Sequence, residues 1–146
     1  MLFLLAGVFG ILLVGMSGSV AALSSMIFPS ETLAEGIGKD FSATSHLLLR
    51  LRISHPILSI SVGVGLIFLA GWLRARAKEI ASVNRWANVL SILVLMQFAS
   101  GAVTLITLAP IVMQIVHLFL ADAVWISFVL LWANYLSERG AAGQTD

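Results

Sequence analysis

The chain has 146 residues, 60% of them hydrophobic and only 10% charged, with a formal net charge of +1 and a mean hydropathy of +1.04. Soluble domains run at roughly 45–50% apolar and about 25% charged residues, so this composition excludes a soluble globular protein and specifies an integral membrane one. The near-zero charge argues against nucleic acid or an electrostatically recruited partner, and the lack of any cysteine excludes disulfides, iron–sulfur clusters, thiolate-ligated heme and covalent c-type heme attachment.

Charged residues fall in a few short stretches, leaving apolar runs of the ~20 residues a helix needs to cross the hydrocarbon core. The first covers residues 1–28. Small residues around Ser19 to Ala22 resemble a signal-peptidase site, but no basic segment precedes the long apolar run, so we read it as a first transmembrane helix. Its second half spaces Gly15 from Ser19 and Gly18 from Ala22 by four residues, a pattern that brings a neighbouring helix or a flat ligand close to the backbone. Residues 29–46 form the extended polar segment, with Pro29, Glu31, Glu35, Lys39 and Asp40, and read as an outer connector or a lid.

A second helix is expected over residues 47–73, opening on Arg50, Arg52, His55 and Pro56. The following loop, 74–85, holds Arg74, Arg76, Lys78 and Arg85 against the single Glu79, and the positive-inside rule makes it cytoplasmic. Both termini then lie inside and the protein is a multi-pass plasma-membrane protein surrounded by lipid. Helices three (86–108) and four (110–136) form a tight hairpin around Pro110, and the polar tail after Leu136 reads as frayed. The expected fold is a single domain over 1–146: an all-α, four-transmembrane-helix, up-down bundle. Trp72, Trp86 and Trp132 mark the inner boundary as an aromatic belt.

Helices two and four each carry one histidine. Leu73 follows His55 by 18 residues and Leu136 follows His117 by 19, which at 1.5 Å per residue puts both about 27–28 Å above the inner boundary. Two imidazoles at one height on two helices of the same direction suit the axial positions of a heme iron. Zinc fits less well, because His46 is the only further histidine. The alternative is a pair of lone polar residues hydrogen-bonding across the bundle. Arg52, three residues before His55, either pairs with heme propionates or snorkels to headgroups, as does Arg50. Gln114, three before His117, is placed to orient that ligand or to face substrate. Asp122 looks like the most buried acid, about 7.5 Å deeper than His117, level with Ser100, and suited to an interhelical hydrogen bond, a subunit contact or a proton relay. Asn84, Asn88 and Gln97 have no assigned chemistry.

The segment MQFASGAVTLITLAPIVMQIVHLFLADAVW, residues 96–125, is similar to the helix three to helix four hairpin of the heme A synthase family, with Gln97, Gly101, Thr104 and His117 at the matching positions. The second helix with His55, and the small-residue first helix before a polar loop, resemble that family too. The resemblance implies oxidation of the ring methyl of heme O to the formyl group of heme A for terminal oxidases. Family members typically have two four-helix halves, each with a histidine pair, one holding heme b and the other associated with substrate. This chain corresponds to one half, so the resemblance implies a homodimer or higher homo-oligomer, a heme b cofactor, heme O as substrate and an electron donor it does not identify.

The sequence departs from the family at three places: Arg52 stands where a glutamate is typical, Pro56 where an arginine is common, and the cysteine pair of the first outer loop is absent. The ligand roles of His55 and His117 are unaffected by these changes, whereas no catalytic acid or base is assigned; Glu31 and Glu35 are the available carboxylates. The competing readings are a non-catalytic bis-histidine b-type cytochrome passing electrons, and a heme-free packing subunit or small transporter.

Overall fold

The computed structural model describes residues 2–142, of which the side chains are described to residue 138. Six helices follow one another: α1 (Leu2–Ile27), α2 (Leu33–Phe41), α3 (Leu47–Arg52), α4 (Ser54–Arg76), α5 (Ala81–Ile106) and α6 (Ile111–Ala142). There is no strand among the described residues. Four segments are long and apolar enough to cross a membrane: Leu2–Ile27, Leu47–Arg76, Ala81–Ile106 and Ile111–Glu138, with 26, 30, 26 and 28 residues. The protein is therefore a multi-pass, all-helical membrane protein, because lipid offers the backbone no partner and a helix satisfies its own polar groups.

α1 packs on α3 and α4, α4 on α5, α5 on α6, and α1 also touches α6, which closes the four spans into a ring. The buried centre lies towards the α4–α5 turn, where Leu66, Ala70, Leu73, Val83, Ala87, Leu90, Phe128, Leu131 and Trp132 interlock. Lipid tails are as apolar as leucine, so close van der Waals fit, not removal from water, holds this region. Glycine supplies the fit at two crossings. A Cβ on Gly7 would come within 2.5 Å of Phe128 Cζ, and one on Gly63 within 2.5 Å of Phe98 Cζ. Each phenylalanine thus rests on bare backbone of the opposing helix.

The spans are longer around the α4–α5 turn than the sequence suggests. The expected loop 74–85 shrinks to residues 77–80, because α4 runs to Arg76 and α5 starts at Ala81. Asn84 donates to Lys78 O at 2.7 Å and Arg74 donates to Asn88 Oδ1 at 2.8 Å, so both asparagines serve this turn. α6 is helical through most of the expected frayed tail, and residues 143–146 lie outside the described residues. Trp72 is partly buried at the end of α4, with Arg76 4.3 Å above its ring and Phe3 alongside. Trp132 departs from the aromatic-belt expectation: it is 4% exposed and packs edge-on against Tyr135 in the core.

The α5–α6 turn is tight, as expected around Pro110, and it is strained. Leu108 and Ala109 have φ of 60° and 54°, the left-handed region that costs a side-chain-bearing residue roughly 1–2 kcal/mol. Two short bonds hold it: Ala109 N donates to Thr104 O at 2.7 Å, and Gln114 Nε2 donates to Ala109 O at 2.6 Å.

At the same end of the bundle, the polar segment is not all loop. Thr32 caps α2, its hydroxyl accepting from Glu35 N at 3.2 Å, while the Glu35 carboxylate reaches back to Glu31 N at 2.9 Å. This is a capping box in form, Thr-x-x-Glu, and it starts a short amphipathic helix. Lys39, 2.6 Å from Glu35, and that backbone bond hold the Glu35 carboxyl below its ordinary range. A lowered carboxyl stabilises the folded helix above the ordinary glutamate range, and that contribution is lost as pH falls through the lowered value.

Gly63→Ala is expected to lower the stability of the detergent-solubilised protein by about 1–3 kcal/mol, the usual cost of overpacking, because the Phe98 ring has to leave its seat. Thermal unfolding followed by circular dichroism measures it, and an unchanged midpoint would contradict the packing described.

Candidate functional site

Pro56 shapes the entry to the second span. Proline has no N–H to give Arg52 O and its ring crowds that carbonyl, so the helix breaks between Arg52 and Ser54, at Ile53. One continuous helix was expected here. The interruption is one residue long and Ile53 keeps helical dihedrals (φ -65°, ψ -22°), so Leu47–Arg76 still crosses as one span, while the long Arg52 side chain turns away from the histidine.

Arg52 turns to α2. Its Nε donates to Asp40 Oδ1 at 2.9 Å, Nη2 lies 2.7 Å from the same oxygen and donates to Gly36 O at 3.1 Å, and Nη1 reaches Ser25 Oγ at 3.5 Å. The two side chains are only 18% and 13% exposed, so the ion pair is largely screened from solvent. Arg52 thereby ties α1, α2 and α4's lead-in helix α3 together, and its donors are engaged within the chain instead of reaching for propionates. Arg50 is exposed. His46 is the N-cap of α3, accepting from Leu48 N at 3.2 Å, and takes no part in a metal cluster; no group of three or more metal-binding side chains occurs among the described residues.

His55 and His117 do come together. Their ring centroids are 6.3 Å apart and the rings are nearly perpendicular, at 86°. Each is half-buried and each lies on a glycine of the preceding span: a Cβ on Gly18 would be 3.1 Å from His55 Cε1, and one on Gly101 would be 3.1 Å from His117 Cε1. The small face of α1 therefore receives an imidazole at Gly18, while Gly15 faces open space. Ser17 Oγ lies 3.1 Å from His55 Nδ1, and Ser100 Oγ lies 2.8 Å from His117 Nδ1. Gln97 Nε2 sits 3.2 Å from His117 Nε2, leaving its own Oε1 buried with no hydrogen bond.

Gln114 is not part of this cluster; its amide is spent on Ala109 O in the turn, a correction to its expected place beside His117. A helix that starts only at Ile111 puts Gln114 in the first turn, where side chains reach back to unpaired backbone groups. Asp122 is also displaced from expectation: it is exposed, and Ser100, its supposed partner, bonds Gln97 O and His117 instead. Ser17 is a site residue that the sequence reading leaves out, Ser100 is expected beside Asp122 instead, and Gln97 matches the family position without an assigned chemistry. Ser100 and Gln97 sit one helical turn apart on α5, the one pattern that could have linked them.

The geometry fits a bis-imidazole metal. A metal–nitrogen bond of about 2.0–2.1 Å on each side, plus the half-widths of two imidazoles, gives roughly 6–6.5 Å between ring centres, the span seen. Two neutral nitrogen donors and no carboxylate or thiolate suit a porphyrin-held iron, which needs only its axial positions filled.

Arg52→Met is expected to destabilise by about 1.5–3 kcal/mol, the range for hydrogen bonds to charged groups, and to loosen α2 first. Hydrogen exchange should show protection lost over 33–41 while α5 and α6 keep theirs; uniform loss across all helices would contradict this local role.

A family model described as cytochrome oxidase assembly protein, COX15-CtaA, matches residues 1–129. Two proteins from two strains of Thermus thermophilus, both named protoheme IX farnesyltransferase, are each 39% identical over 138 residues, covering 94% of this chain and 22% of theirs. The chain thus spans about a fifth of the length of these relatives. No solved structure matches the chain.

Proposed function

We propose that this chain, which belongs to the COX15-CtaA family of cytochrome oxidase assembly proteins, the heme A synthase family, oxidises the ring methyl of heme O to the formyl group of heme A at a heme held by His55 and His117. The family is one of oxidoreductases in heme A biosynthesis, which supports this reading. The observation that carries the finer reading is the pairing of the two imidazoles at iron-spanning distance, each seated on a glycine. The match inside proteins named for heme farnesylation supports a farnesylated heme as substrate.

When bound, the heme supplies the redox chemistry. The chain's own residues do the rest. His55 and His117 would hold the heme iron through neutral ring nitrogens, and Gln97 Nε2, 3.2 Å from His117 Nε2, would have to turn aside at a net cost of about 1 kcal/mol. The half-buried, apolar surroundings keep water from the ring edges. Arg52 and Asp40 hold α2 against α3, the lead-in to the helix that carries His55.

A single chain carries one histidine pair, and the reading therefore includes a homodimer in which one pair holds heme b and the other receives heme O. Asp122 supports it. It lies mid-span on an exposed face of α6, where a charge against lipid costs about 2.5–3.5 kcal/mol. A second chain covering that face removes the cost. Because the protein has no cysteine, Asp122→Cys gives a clean test: an oxidant should link two copies in the membrane, and monomer alone would contradict this interface. The basic turn between α4 and α5 is placed on the cytoplasmic side, with both termini.

Arg52 occupies the place of a glutamate typical of the resembling family, and this favours one alternative, a bis-histidine b-type cytochrome that only passes electrons. Expression in a host that accumulates heme O decides between them. Heme A appearing only with the chain present, and lost in His55→Ala and His117→Ala together with the bound heme, is the expected result. A bound b-type heme without heme A would establish the electron carrier, and a heme-free protein would overturn the site.

A further inference from the structure

The two histidine environments are copies of each other. The first is built by Ser-Gly-Ser-Val at 17–20 on α1 and His-Pro-Ile-Leu at 55–58 on α4; the second by Ser-Gly-Ala-Val at 100–103 on α5 and His-Leu-Phe-Leu at 117–120 on α6. In both, the serine hydroxyl bonds the carbonyl three residues back, Val14 O or Gln97 O, each at 3.0 Å. In both, the same oxygen lies against Nδ1 of the histidine on the partner helix, and the next residue, glycine, receives the imidazole edge. The chain is a helical hairpin used twice, α1 with α4 and α5 with α6. The connectors differ in size, and so do some neighbouring residues, Pro56 against Leu118 among them.

A serine hydroxyl has one proton and two lone pairs. With that proton on the i−3 carbonyl, the oxygen meets Nδ1 as an acceptor, and Nδ1 carries the hydrogen. For His117 a second contact agrees: the Gln97 amide nitrogen can only donate, so His117 Nε2 accepts and is unprotonated. We infer that Ser17 and Ser100 are equivalent positioning residues, each accepting the Nδ1–H of one histidine and so holding both imidazoles in the tautomer whose Nε2 lone pair is free for a metal. The bond also fixes each ring against rotation on its glycine seat and makes the ligand nitrogen more basic.

The repeat is unequal at one position. Gln97 stands where α1 has Val14, so His117 Nε2 is capped by an amide while the matching position beside His55 offers none. His55 is thus the ligand ready to bind first, and His117 the one released by movement of Gln97.

The inference rests on the heme reading for what the lone pairs receive, but the tautomers can be read without iron. The full chain, heme-free in detergent with 15N-labelled histidine, is examined by long-range proton–nitrogen correlation. Both His55 and His117 should be Nδ1–H. Ser100→Ala should move His117 alone towards Nε2–H, and Ser17→Ala should move His55 alone but less completely, because Val14 O also accepts from its ring, while Ser17→Thr and Ser100→Thr keep the wild-type pattern. Loading with protoheme should then show affinity reduced roughly 10–100-fold in each alanine variant, with a raised midpoint potential, and restored in the threonine variants. Nε2–H in the wild type, or ring nitrogens and potential unmoved by both alanine variants, overturns the inference even where heme binds normally. A wild type with Nδ1–H tautomers that fall to each alanine variant, yet no heme uptake, supports the serine roles and sinks the ligand reading instead.

Discussion

A polar ring inside a lipid-embedded bundle has to find its partners in the bundle itself, and that constraint organises the outer half of this protein. Each imidazole has one nitrogen on a serine hydroxyl and one edge on a glycine, 3.1 Å from where a Cβ would be. Neither feature works alone. Without the glycine the ring cannot approach the neighbouring helix, and without the hydroxyl its approach would strand a nitrogen in an apolar setting, at about 1–3 kcal/mol. The close crossings lower down, where Phe98 and Phe128 rest on Gly63 and Gly7, hold the helices near enough for the upper contacts to form. Packing in one half thus sets the geometry of the other.

The four spans and the level histidines are legible in the sequence because hydropathy and helical rise are simple and lipid leaves the backbone few choices. His55 and His117 meet as their depths imply. Their partners are harder to see. Ser17 and Ser100 read as ordinary small residues, since a serine's role depends on which helix lies opposite, and periodicity does not carry that. The Thr32-x-x-Glu35 capping box is present in the sequence, but the surrounding polar residues read as connector and hide α2. Pro56 stands out in the sequence as a departure from a family pattern, while its physical effect is to break the helix after Arg52. Arg52 itself faces Asp40 and Gly36 because α2 supplies a carboxylate and a carbonyl within its reach, partners that three-residue spacing to His55 does not reveal. Asp122 and Trp132 exchange expectations for a related reason: their depth follows from counting residues, but the facing direction of α6 is set by its hairpin with α5.

Twofold use of one hairpin gives the chain a short route to a symmetric ligand. The heme proposed to bind here would meet two closely similar histidines, each with its own serine and glycine. The differences then carry the function. The long connector between α1 and α4 holds α2 and the Arg52–Asp40 pair, while the short α5–α6 turn is strained at Leu108 and Ala109 and pinned by Gln114. A clasped helix marks the first hairpin and a strained turn the second, and only His117 has an amide, that of Gln97, against its Nε2.

The central claim is that both histidines bind one iron. Low-temperature electron paramagnetic resonance of the purified chain loaded with ferric protoheme tests it most directly. The expected result is a low-spin signal of bis-imidazole type that turns high-spin when either His55 or His117 is replaced by alanine. A high-spin signal in the unaltered protein, or a low-spin signal that survives either replacement, would contradict it.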